Sequence, residues 1–180
     1  MRTAYIGLGA NLASSAGPPA ETLTAALLRL ADLGRVTARS SLYKTDPVGF
    51  THQPAFMNAV VVLETELEPR VLLRELLEIE RQFGRDRSMG IPNGPRTLDL
   101  DILLVDDLKI NEPGLELPHP RLAERAFVLI PLSEISPKLR LAGHAGTVAE
   151  LVQALENRGE GGTDGVERVE SGRWQASPMA

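Results

Sequence analysis

The sequence has no cysteine among its 180 residues. Disulfide bonds, thiolate metal sites and cysteine nucleophiles are therefore excluded. No apolar run approaches the roughly 20 residues that a membrane-spanning helix needs. No signal peptide is visible either, because the first residues pass directly into a strand-like segment and then into glycines. We therefore expect a soluble, cytoplasmic protein that has no membrane partner.

Positively charged residues are also fewer than negatively charged ones, with 19 Lys and Arg against 24 Asp and Glu, and the net charge is −5. This balance argues against a general nucleic-acid binder. The P-loop pattern Gly-x-x-x-x-Gly-Lys-Ser/Thr does not occur, so another arrangement must hold any phosphates. The stretch 7–12 lacks the third glycine of a dinucleotide fingerprint and indicates a tight turn after a strand.

Two carboxylates stand out in residues 95–104, where an alternating pattern becomes wholly apolar and predicts a strand entering a core. Because side chains on a strand alternate, we expect Asp99 and Asp101 to share one face. The opposite face would carry Leu98, Leu100, Ile102 and Leu104. Neighbouring half-buried carboxylates repel each other and lose hydration, and one or two bound divalent cations such as Mg²⁺ would relieve both costs. The alternative is a solvent-facing edge strand with two charges.

The rest of the chain alternates strand-like and helix-like segments, which favours one domain over residues 1–156. The expected strands cover 3–8, 36–44, 56–66, 95–104 and 108–110, and the expected helices cover 19–33, 69–83, 122–135 and 147–155. Pro131 makes the second half of the third helix doubtful. From residue 157 onwards Gly, Glu, Ser and Thr are frequent, so we expect a disordered tail that includes Trp174.

Residues 84–96 precede the carboxylate strand and contain three glycines and two prolines, which argues against regular structure. Arg85, Arg87 and Arg96 lie in this segment, and arginine pairs bidentately with phosphate oxygens. We interpret the segment as a flexible basic lid over a polyphosphate. The alternative is a mobile surface loop with solvated charges.

Three further polar residues have two interpretations each. Glu80 falls on or beside the buried face of the second helix, where it needs a partner, and a structural ion pair is the simpler choice over a ligand. Asn58, near the start of the third strand, could form hydrogen bonds with the polar edge of a ring-shaped ligand or with the backbone. His119 lies between two prolines and could donate to a phosphate or cap the following helix. The loop 45–54 is too long for a tight hairpin, and such loops are often functional.

Together these segments resemble the 6-hydroxymethyl-7,8-dihydropterin pyrophosphokinases of folate biosynthesis, over roughly residues 3 to 156. The most specific block is Gly94-Pro95-Arg96-Thr97-Leu98-Asp99-Leu100-Asp101, and blocks at 4–12, 58–60, 80–85 and 117–120 support it. The resemblance implies an α+β fold with a ferredoxin-like βαββαβ core, a four-stranded antiparallel sheet, helices on one face and a C-terminal helical extension. The element order read from the sequence agrees with this fold.

The resemblance also implies an activity, in which the β,γ-diphosphate of ATP moves as one unit onto the pterin hydroxymethyl group and leaves AMP. The implied catalytic residues are Arg85, Arg96, Asp99 and Asp101, with two Mg²⁺ ions on Asp99 and Asp101. The implied ATP contacts are Glu80, Arg85, Arg87, Arg96, Ile102, His119 and Arg125. The implied pterin contacts are Thr45, Asp46, Val48, Asn58 and the stacking rings of Phe56 and Phe127. The residue pattern alone would place both rings in the core.

The sequence departs from the family pattern at three positions. Asp46 stands where proline is frequent, Asn93 where a tryptophan often precedes Gly-Pro-Arg, and Pro120 where an aromatic residue sometimes follows the histidine. We expect a monomer whose partners are ATP and the hydroxymethyl pterin. A Mg²⁺-dependent phosphohydrolase that uses the same aspartates, and a non-catalytic nucleotide-binding module, remain alternatives.

Overall fold

The computed structural model describes residues 1–88, 94–157 and 165–177. The strands are β1 (Arg2–Ala10), β2 (Arg35–Arg39), β3 (Leu42–Thr45), β4 (Phe56–Thr65), β5 (Asp99–Val105), β6 (Ile110–Glu112), β7 (Leu115–Leu117) and β8 (Val166–Val169). The helices are α1 (Pro19–Ala31), α2 (Pro69–Gln82), α3 (Ala126–Ile135), α4 (Val148–Glu156) and α5 (Gly172–Ala176). Residues 89–93 of the expected lid, including Asn93, lie outside the described residues.

The main sheet has the strand order β5-β1-β4-β3-β8, and β2 also pairs with β4. Every one of these pairings is antiparallel. The order β1-α1-β2/β3-β4-α2-β5 confirms the ferredoxin-like core, and β6 and β7 form a separate hairpin. The described strands extend the expected four-stranded sheet to six, because β8 joins its edge and the strand expected over 36–44 is divided.

The division between β2 and β3 falls at Ser40 and Ser41. The Ser40 hydroxyl accepts a hydrogen bond from the Val60 backbone N–H at 3.0 Å, and the Ser41 backbone N–H donates to the Glu134 carboxylate at 2.8 Å. Serine side chains compete with ladder hydrogen bonds in this way. The predicted strand is therefore interrupted at these two serines, although the residues on both sides of them form strands.

The two helices of the ferredoxin-like core, α1 and α2, pack on one face of the sheet as expected, and the later helices α3 and α4 pack on the other face. The α1 and α2 side chains Leu23, Leu27, Leu72 and Leu76 pack with β-strand residues such as Ile6 in one core. On the opposite face, Leu129 and Leu132 of α3 pack with Val60 and Leu103 in a second core, which α4 completes. The sequence of α3 is apolar nearly throughout, and this composition allows it to bury most of its surface.

The helical stretch expected over 122–135 is divided in the structure. It starts as a 3-10 turn over Leu122–Glu124 and then continues as α3, which runs through Pro131. The doubt about its second half was therefore wrong. Among the described residues, none of the helices combines the length and the apolar character needed to cross a membrane.

The alternation of β5 shifts by one residue at Leu103. Ile6 of β1 pairs with Ile102, but Tyr5 pairs with Leu104, so Leu103 is an extra residue in the strand. This bulge turns Leu104 towards the second core, where Leu103 also packs. The expectation that Leu104 shares a face with Leu100 is therefore wrong. Asp99 and Asp101 precede the bulge and share a face, as the alternation predicts.

The expectation of a disordered tail is wrong for residues 165–177. β8 pairs with β3, and the Trp174 side chain is only 1% exposed. The Trp174 indole N–H donates to the Ser40 carbonyl at 2.8 Å. A buried indole contributes 150–250 Å² of contact surface, which offsets the conformational entropy lost by a short polar segment. The interpretation from composition included Trp174 in the tail but did not anticipate that this single large side chain would be buried.

Candidate active site

Asp99 and Asp101 lie on β5 directly opposite two glycines of β1, since Gly9 pairs with Asp99 and Gly7 with Asp101. Both glycines belong to a strand that continues to Ala10, so the expected tight turn at 7–12 is wrong. A Cβ atom on Gly9 would lie 2.9 Å from Asn58 Oδ1. The missing side chains leave room for a cleft in front of the two carboxylates. We call it the carboxylate cleft, and its walls include Gly7, Gly9, Asn58, Arg96, Asp99, Asp101, Arg125 and Phe127.

Three guanidinium groups surround Asp99. Arg96 Nε lies 3.2 Å from Asp99 Oδ2, and the Nη2 atoms of Arg85 and Arg87 lie 3.7 and 3.8 Å from Asp99 Oδ1. Arg96 Nε is buried and has no acceptor with hydrogen-bond geometry among the described residues, so this ion pair leaves a donor available to another oxygen. The structure thus brings the three arginines of the expected lid to the carboxylate pair.

Glu80 is 1% exposed and holds Arg87 in place. Its carboxylate accepts from Arg87 Nε at 2.9 Å, from Arg87 Nη2 at 2.8 Å and from the backbone N–H of Leu100 at 2.8 Å. Burial raises the pKa of Glu80, and the hydrogen bonds from Arg87 oppose that effect. The geometry is that of the structural ion pair, which positions both the arginine and the start of β5.

Asp101 has a different environment from Asp99. Burial raises the pKa of Asp101 to about 6, and the nearby charge of Asp99 adds to the effect, whereas Arg125 and Arg96 oppose it. In the described part of the chain no basic group comes within ion-pairing distance of Asp101. This carboxylate is therefore poorly compensated and would gain from a cation.

A second cavity, which we call the aromatic cavity, opens beside the carboxylate cleft. It is lined by Thr45, Asp46, Val48, Gly49, Phe56, Asn58, Arg96, Arg121, Arg125 and Phe127. Phe56 is the first residue of β4 and Phe127 is the second residue of α3, so the two rings come from elements that are far apart in the chain. The Arg96 guanidinium lies 4.9 Å from the Phe56 ring centroid, and that of Arg125 lies 5.5 Å from the Phe127 centroid. All six implied pterin contacts therefore line one cavity.

Asn58 and Thr45 are joined inside this cavity. The Asn58 amide donates to the Thr45 hydroxyl at 2.6 Å, and both residues are buried. The bond links two neighbouring strands, because Tyr43 of β3 pairs with Asn58 of β4 and Thr45 pairs with Phe56. It fixes the orientation of the amide, so that a flat polar ligand would meet a preset pattern of donors and acceptors.

A third cavity, the helix-side cavity, lies between α2, β5 and the segment after β7. It is lined by Leu73, Leu77, Arg87, Leu100, Asp101, Ile102, Gly114, Leu115, Glu116, His119 and Pro120. It brings together Arg87, Ile102 and His119, which are implied ATP contacts. It also shares Asp101 with the carboxylate cleft, whereas the aromatic cavity shares Asn58, Arg96, Arg125 and Phe127 with that cleft. Both cavities therefore adjoin the carboxylate cleft.

His119 is held at the rim of the helix-side cavity. Its backbone N–H donates to the Leu103 carbonyl at 2.7 Å, and its Nδ1 accepts from the Arg121 backbone N–H at 3.1 Å. Burial lowers the pKa of His119, and the positive charges of Arg125 and Arg121 lower it further. The ring is therefore neutral with its proton on Nε2, which leaves Nε2 as a donor.

The sequence did not single out Arg121 of the aromatic cavity or the apolar wall of the helix-side cavity formed by Leu73, Leu77 and Leu115. One signal was present, because Leu73 and Leu77 widen the apolar stripe of α2 beyond what the core needs. Leu77 is 37% exposed in the structure. An apolar face that is wider than its core contact indicates a ligand or partner surface.

Comparisons with known proteins show which family the chain is similar to. A sequence model of the 7,8-dihydro-6-hydroxymethylpterin-pyrophosphokinase family matches residues 5–137. A Methylorubrum extorquens protein named 2-amino-4-hydroxy-6-hydroxymethyldihydropteridine pyrophosphokinase is 42% identical over 172 residues, which cover 94% of this chain and 100% of the relative. A Pseudomonas aeruginosa protein of the same name is 45% identical over 139 residues, which cover 76% of this chain and 82% of the relative.

The fold of this chain is also similar to that of solved structures. A crystal structure of Plasmodium falciparum HPPK-DHPS is similar with a TM-score of 0.74 at 17% identity, over 94% of this chain and 49% of that chain. This chain spans about half the length of that protein, and the likeness shows the fold alone. The match to the family over residues 5–137, together with the two relatives, shows that the chain belongs to the 7,8-dihydro-6-hydroxymethylpterin-pyrophosphokinase family.

Proposed function

We propose that this chain transfers the β,γ-diphosphate of ATP to the hydroxymethyl group of 6-hydroxymethyl-7,8-dihydropterin, giving AMP and the pterin diphosphate, in folate biosynthesis. The observation that carries the proposal is that two chemically different cavities both adjoin the cleft that holds Asp99 and Asp101. The aromatic cavity has aromatic rings in its walls, whereas the helix-side cavity has an apolar wall edged by basic groups. A transferase needs two substrate sites that converge on the reacting groups, whereas a phosphohydrolase needs one. Membership of a pyrophosphokinase family also favours transfer to an acceptor over hydrolysis.

The aromatic cavity is the proposed pterin site. A pterin is a flat bicyclic ring with a polar edge, which suits stacking between Phe56 and Phe127. Asn58 and the backbone of residues 45–48 lie in the same cavity and would read the polar edge. Asp46 and Val48 would form the outer wall. The ring would then point its hydroxymethyl group towards the carboxylate cleft.

The helix-side cavity is the proposed nucleotide site. Its apolar wall of Leu73, Leu77 and Ile102 would contact the adenosine, and His119 Nε2 would donate to an oxygen of the nucleotide. Arg87 would bind the phosphates at the inner end. Because Arg87 and Leu100 occupy the Glu80 carboxylate, we propose that Glu80 acts on ATP through Arg87.

Asp99 and Asp101 have the chemistry to hold divalent cations, and we propose two Mg²⁺ ions there. The carboxylates are hard oxygen ligands on one face, and Asp101 has no basic partner in the described residues. No third acidic or histidine side chain joins them in the described ranges, so phosphate oxygens and water would supply the remaining ligands. Bound Mg²⁺ neutralises phosphate charge and lowers the pKa of a coordinated hydroxyl.

The chain's own contribution is positioning and charge stabilisation, because phosphoryl-type transfer leaves a protein little covalent work. Arg96 offers its unsatisfied Nε donor to a phosphate oxygen. Arg85 and Arg96 would stabilise the charge on the departing AMP, and Arg125 would bind the phosphates from the α3 side.

The proposal is tested by incubating the chain with ATP, Mg²⁺ and 6-hydroxymethyl-7,8-dihydropterin and separating the products by chromatography. We expect AMP and the pterin diphosphate in equal amounts. Release of ADP or free phosphate without the pterin diphosphate would establish the phosphohydrolase alternative. Binding of ATP without Mg²⁺-dependent turnover would establish a non-catalytic nucleotide-binding module. The monomeric state and the cytoplasmic location stay predictions.

A further inference from the structure

We propose that residues 165–177, which we call the C-terminal brace, position the wall of the pterin site formed by Thr45 and Asp46. The inference rests on the proposed function, because it assigns a substrate-positioning role to residues outside the active site. The brace also lies beyond residues 5–137, the span that the family sequence model matches. It is therefore an addition to the part of the chain that defines the family.

Strand pairing supplies the first observation. β8 of the brace pairs with β3 along its whole length, from Leu42 opposite Val169 to Thr45 opposite Val166. On its other side β3 pairs with β4. Without the brace, β3 would be an edge strand with a row of unpaired backbone groups ending at the pterin wall. With the brace, Thr45 is held from both sides.

The second observation is a contact at the rim of the aromatic cavity. The Asp46 backbone N–H donates to the Gly165 carbonyl at 3.0 Å. Gly165 has a φ of +72°, and a Cβ atom there would lie 2.5 Å from Asp46 Oδ2, 2.9 Å from Cγ and 3.1 Å from Cβ. Glycine at this position therefore allows both the turn and the close approach to Asp46.

The third observation is the anchor at the other end of the brace. Trp174 is buried, and its indole N–H bonds the Ser40 carbonyl at 2.8 Å. Arg39 donates to the carbonyls of Gln175 and Ser177, and its guanidinium lies 5.8 Å from the Trp174 ring centroid. One end of the brace is thus fixed in the core at the β2–β3 break, and the other end touches the pterin wall.

These contacts fix the first residues of the loop 45–54 before any ligand binds. A loop that is already ordered loses less conformational entropy on binding, so its ligand binds more tightly. In the described chain, the strand pairing, hydrogen bonds and ion pairs of the brace reach this loop and do not reach any residue that lines the helix-side cavity. The structure therefore assigns it an effect on the pterin that is separate from ATP.

The test compares three single substitutions, Gly165→Ala, Gly143→Ala and Gly172→Ala. Gly143 also has a positive φ, of +81°, but an added Cβ meets nothing within 4 Å, so its variant reports backbone strain alone. Gly172 lies in the brace, and its added Cβ also meets nothing within 4 Å. Truncation is a poorer choice because it would uncover the core around Trp174.

We expect Gly165→Ala to raise the KM for the pterin by roughly 3- to 10-fold, the effect of losing about one hydrogen bond, while the KM for ATP stays unchanged. Gly143→Ala and Gly172→Ala should leave both KM values at the wild-type level. Hydrogen exchange should be faster at the Asp46 amide in Gly165→Ala but not in the two controls. A purely structural role would lower the thermal midpoint without separating the two KM values.

Failure of the brace and failure of the proposed function have different signatures. If the wild-type chain forms AMP, and Gly165→Ala matches Gly143→Ala in pterin KM, the brace has no positioning role and the function stands. Faster exchange at Asp46 without a change in pterin KM would lead to the same conclusion. If the wild-type chain forms no AMP from ATP and the pterin, the proposed function is wrong, and the positioning role is overturned with it.

Discussion

The helix-side cavity and the aromatic cavity both adjoin the carboxylate cleft but are stabilised in different ways. The helix-side cavity is built largely from consecutive parts of the chain, α2 to Pro120, and the Glu80–Arg87 ion pair holds its inner end. The aromatic cavity combines β3, β4, the segment before β5 and the start of α3, and neutral hydrogen bonds such as Asn58 to Thr45 hold it together. A buried ion pair thus holds the inner end of one cavity, whereas strand pairing and a neutral hydrogen bond hold the other, whose walls also carry Arg96, Arg121 and Arg125.

The difference corresponds to the chemistry proposed for each side. Phosphates carry charge, so a site for them benefits from guanidinium groups that a buried carboxylate holds in place. A pterin is neutral and flat, so its site benefits from shape and from fixed amide and backbone groups. The same contrast separates the two aspartates, because three arginines lie within ion-pairing distance of Asp99, whereas no basic group in the described residues comes that close to Asp101.

The largest effect that would sharpen this contrast is expected for Asp101→Asn. The variant keeps the shape of the side chain and removes the charge that we propose binds Mg²⁺. We expect diphosphate transfer to fall by at least ~10³-fold, because metal-assisted charge stabilisation contributes several kcal/mol. The measurement is the rate of AMP formation at saturating ATP and pterin, with pterin binding as the control. Retention of near-normal transfer would show that the carboxylate pair is not the centre of the site.

Arg85→Ala tests the charged side next. Arg85 Nη2 lies 3.7 Å from Asp99 Oδ1, and only 17% of the arginine side chain is exposed. We expect kcat to fall by ~10²–10³-fold, as when a preorganised charge-stabilising group is removed, with the pterin KM unchanged. Arg81→Ala is the matched control, since Arg81 pairs with Glu78 on the exposed side of α2. Equal effects of the two substitutions would remove Arg85 from the proposed catalytic group.

Local pattern predicted the charged side better than the aromatic side. The alternation in residues 95–101 placed both carboxylates on one face, and the position of Glu80 on α2 required a partner, which is Arg87. These inferences use residues within about twenty positions of one another. The aromatic side was different, because a half-buried ring that lines a cavity has the same local pattern as a ring in a core. The roles proposed for Phe56 and Phe127 therefore rest on the resemblance.

The errors in the fold have the same origin, since each depends on contacts between distant residues. The break at Ser41 depends on Glu134, and the β5 bulge depends on the pairing with Tyr5. The order of the C-terminal brace depends on Trp174 meeting Ser40. Composition and periodicity describe neighbours in the chain, so they do not contain these pairings.

The third prediction concerns the way in which the stability of the metal-free protein depends on pH through Asp101. The pKa of Asp101 is raised to about 6 from an ordinary value of 3.8, so the folded state holds this proton more tightly than the unfolded chain does. Its protonation stabilises the fold fully below about pH 4, and this contribution is lost as the pH rises through about 6.

Asp101→Asn should therefore gain stability relative to the wild type as the pH rises from 4 to above 6, by up to about 3 kcal/mol. The measurement is chemical denaturation with EDTA across this pH range. If the unfolding free energies of the two proteins change with pH in the same way, burial of the charged Asp101 side chain does not lower the stability of the metal-free protein.

The smallest expected effects come from the paired substitutions Phe127→Ala and Leu77→Ala, one in each cavity. Loss of the Phe127 ring should raise the pterin KM by about 10-fold and leave the ATP KM unchanged, because a stacked ring contributes roughly 0.5–1.5 kcal/mol beyond its buried area. Leu77 is 37% exposed, so its truncation should raise only the ATP KM, by about 2- to 5-fold. Steady-state kinetics with each substrate varied in turn measures both values. If either substitution changes both KM values equally, the two cavities do not bind separate substrates, and the division between a charged side and an aromatic side is wrong.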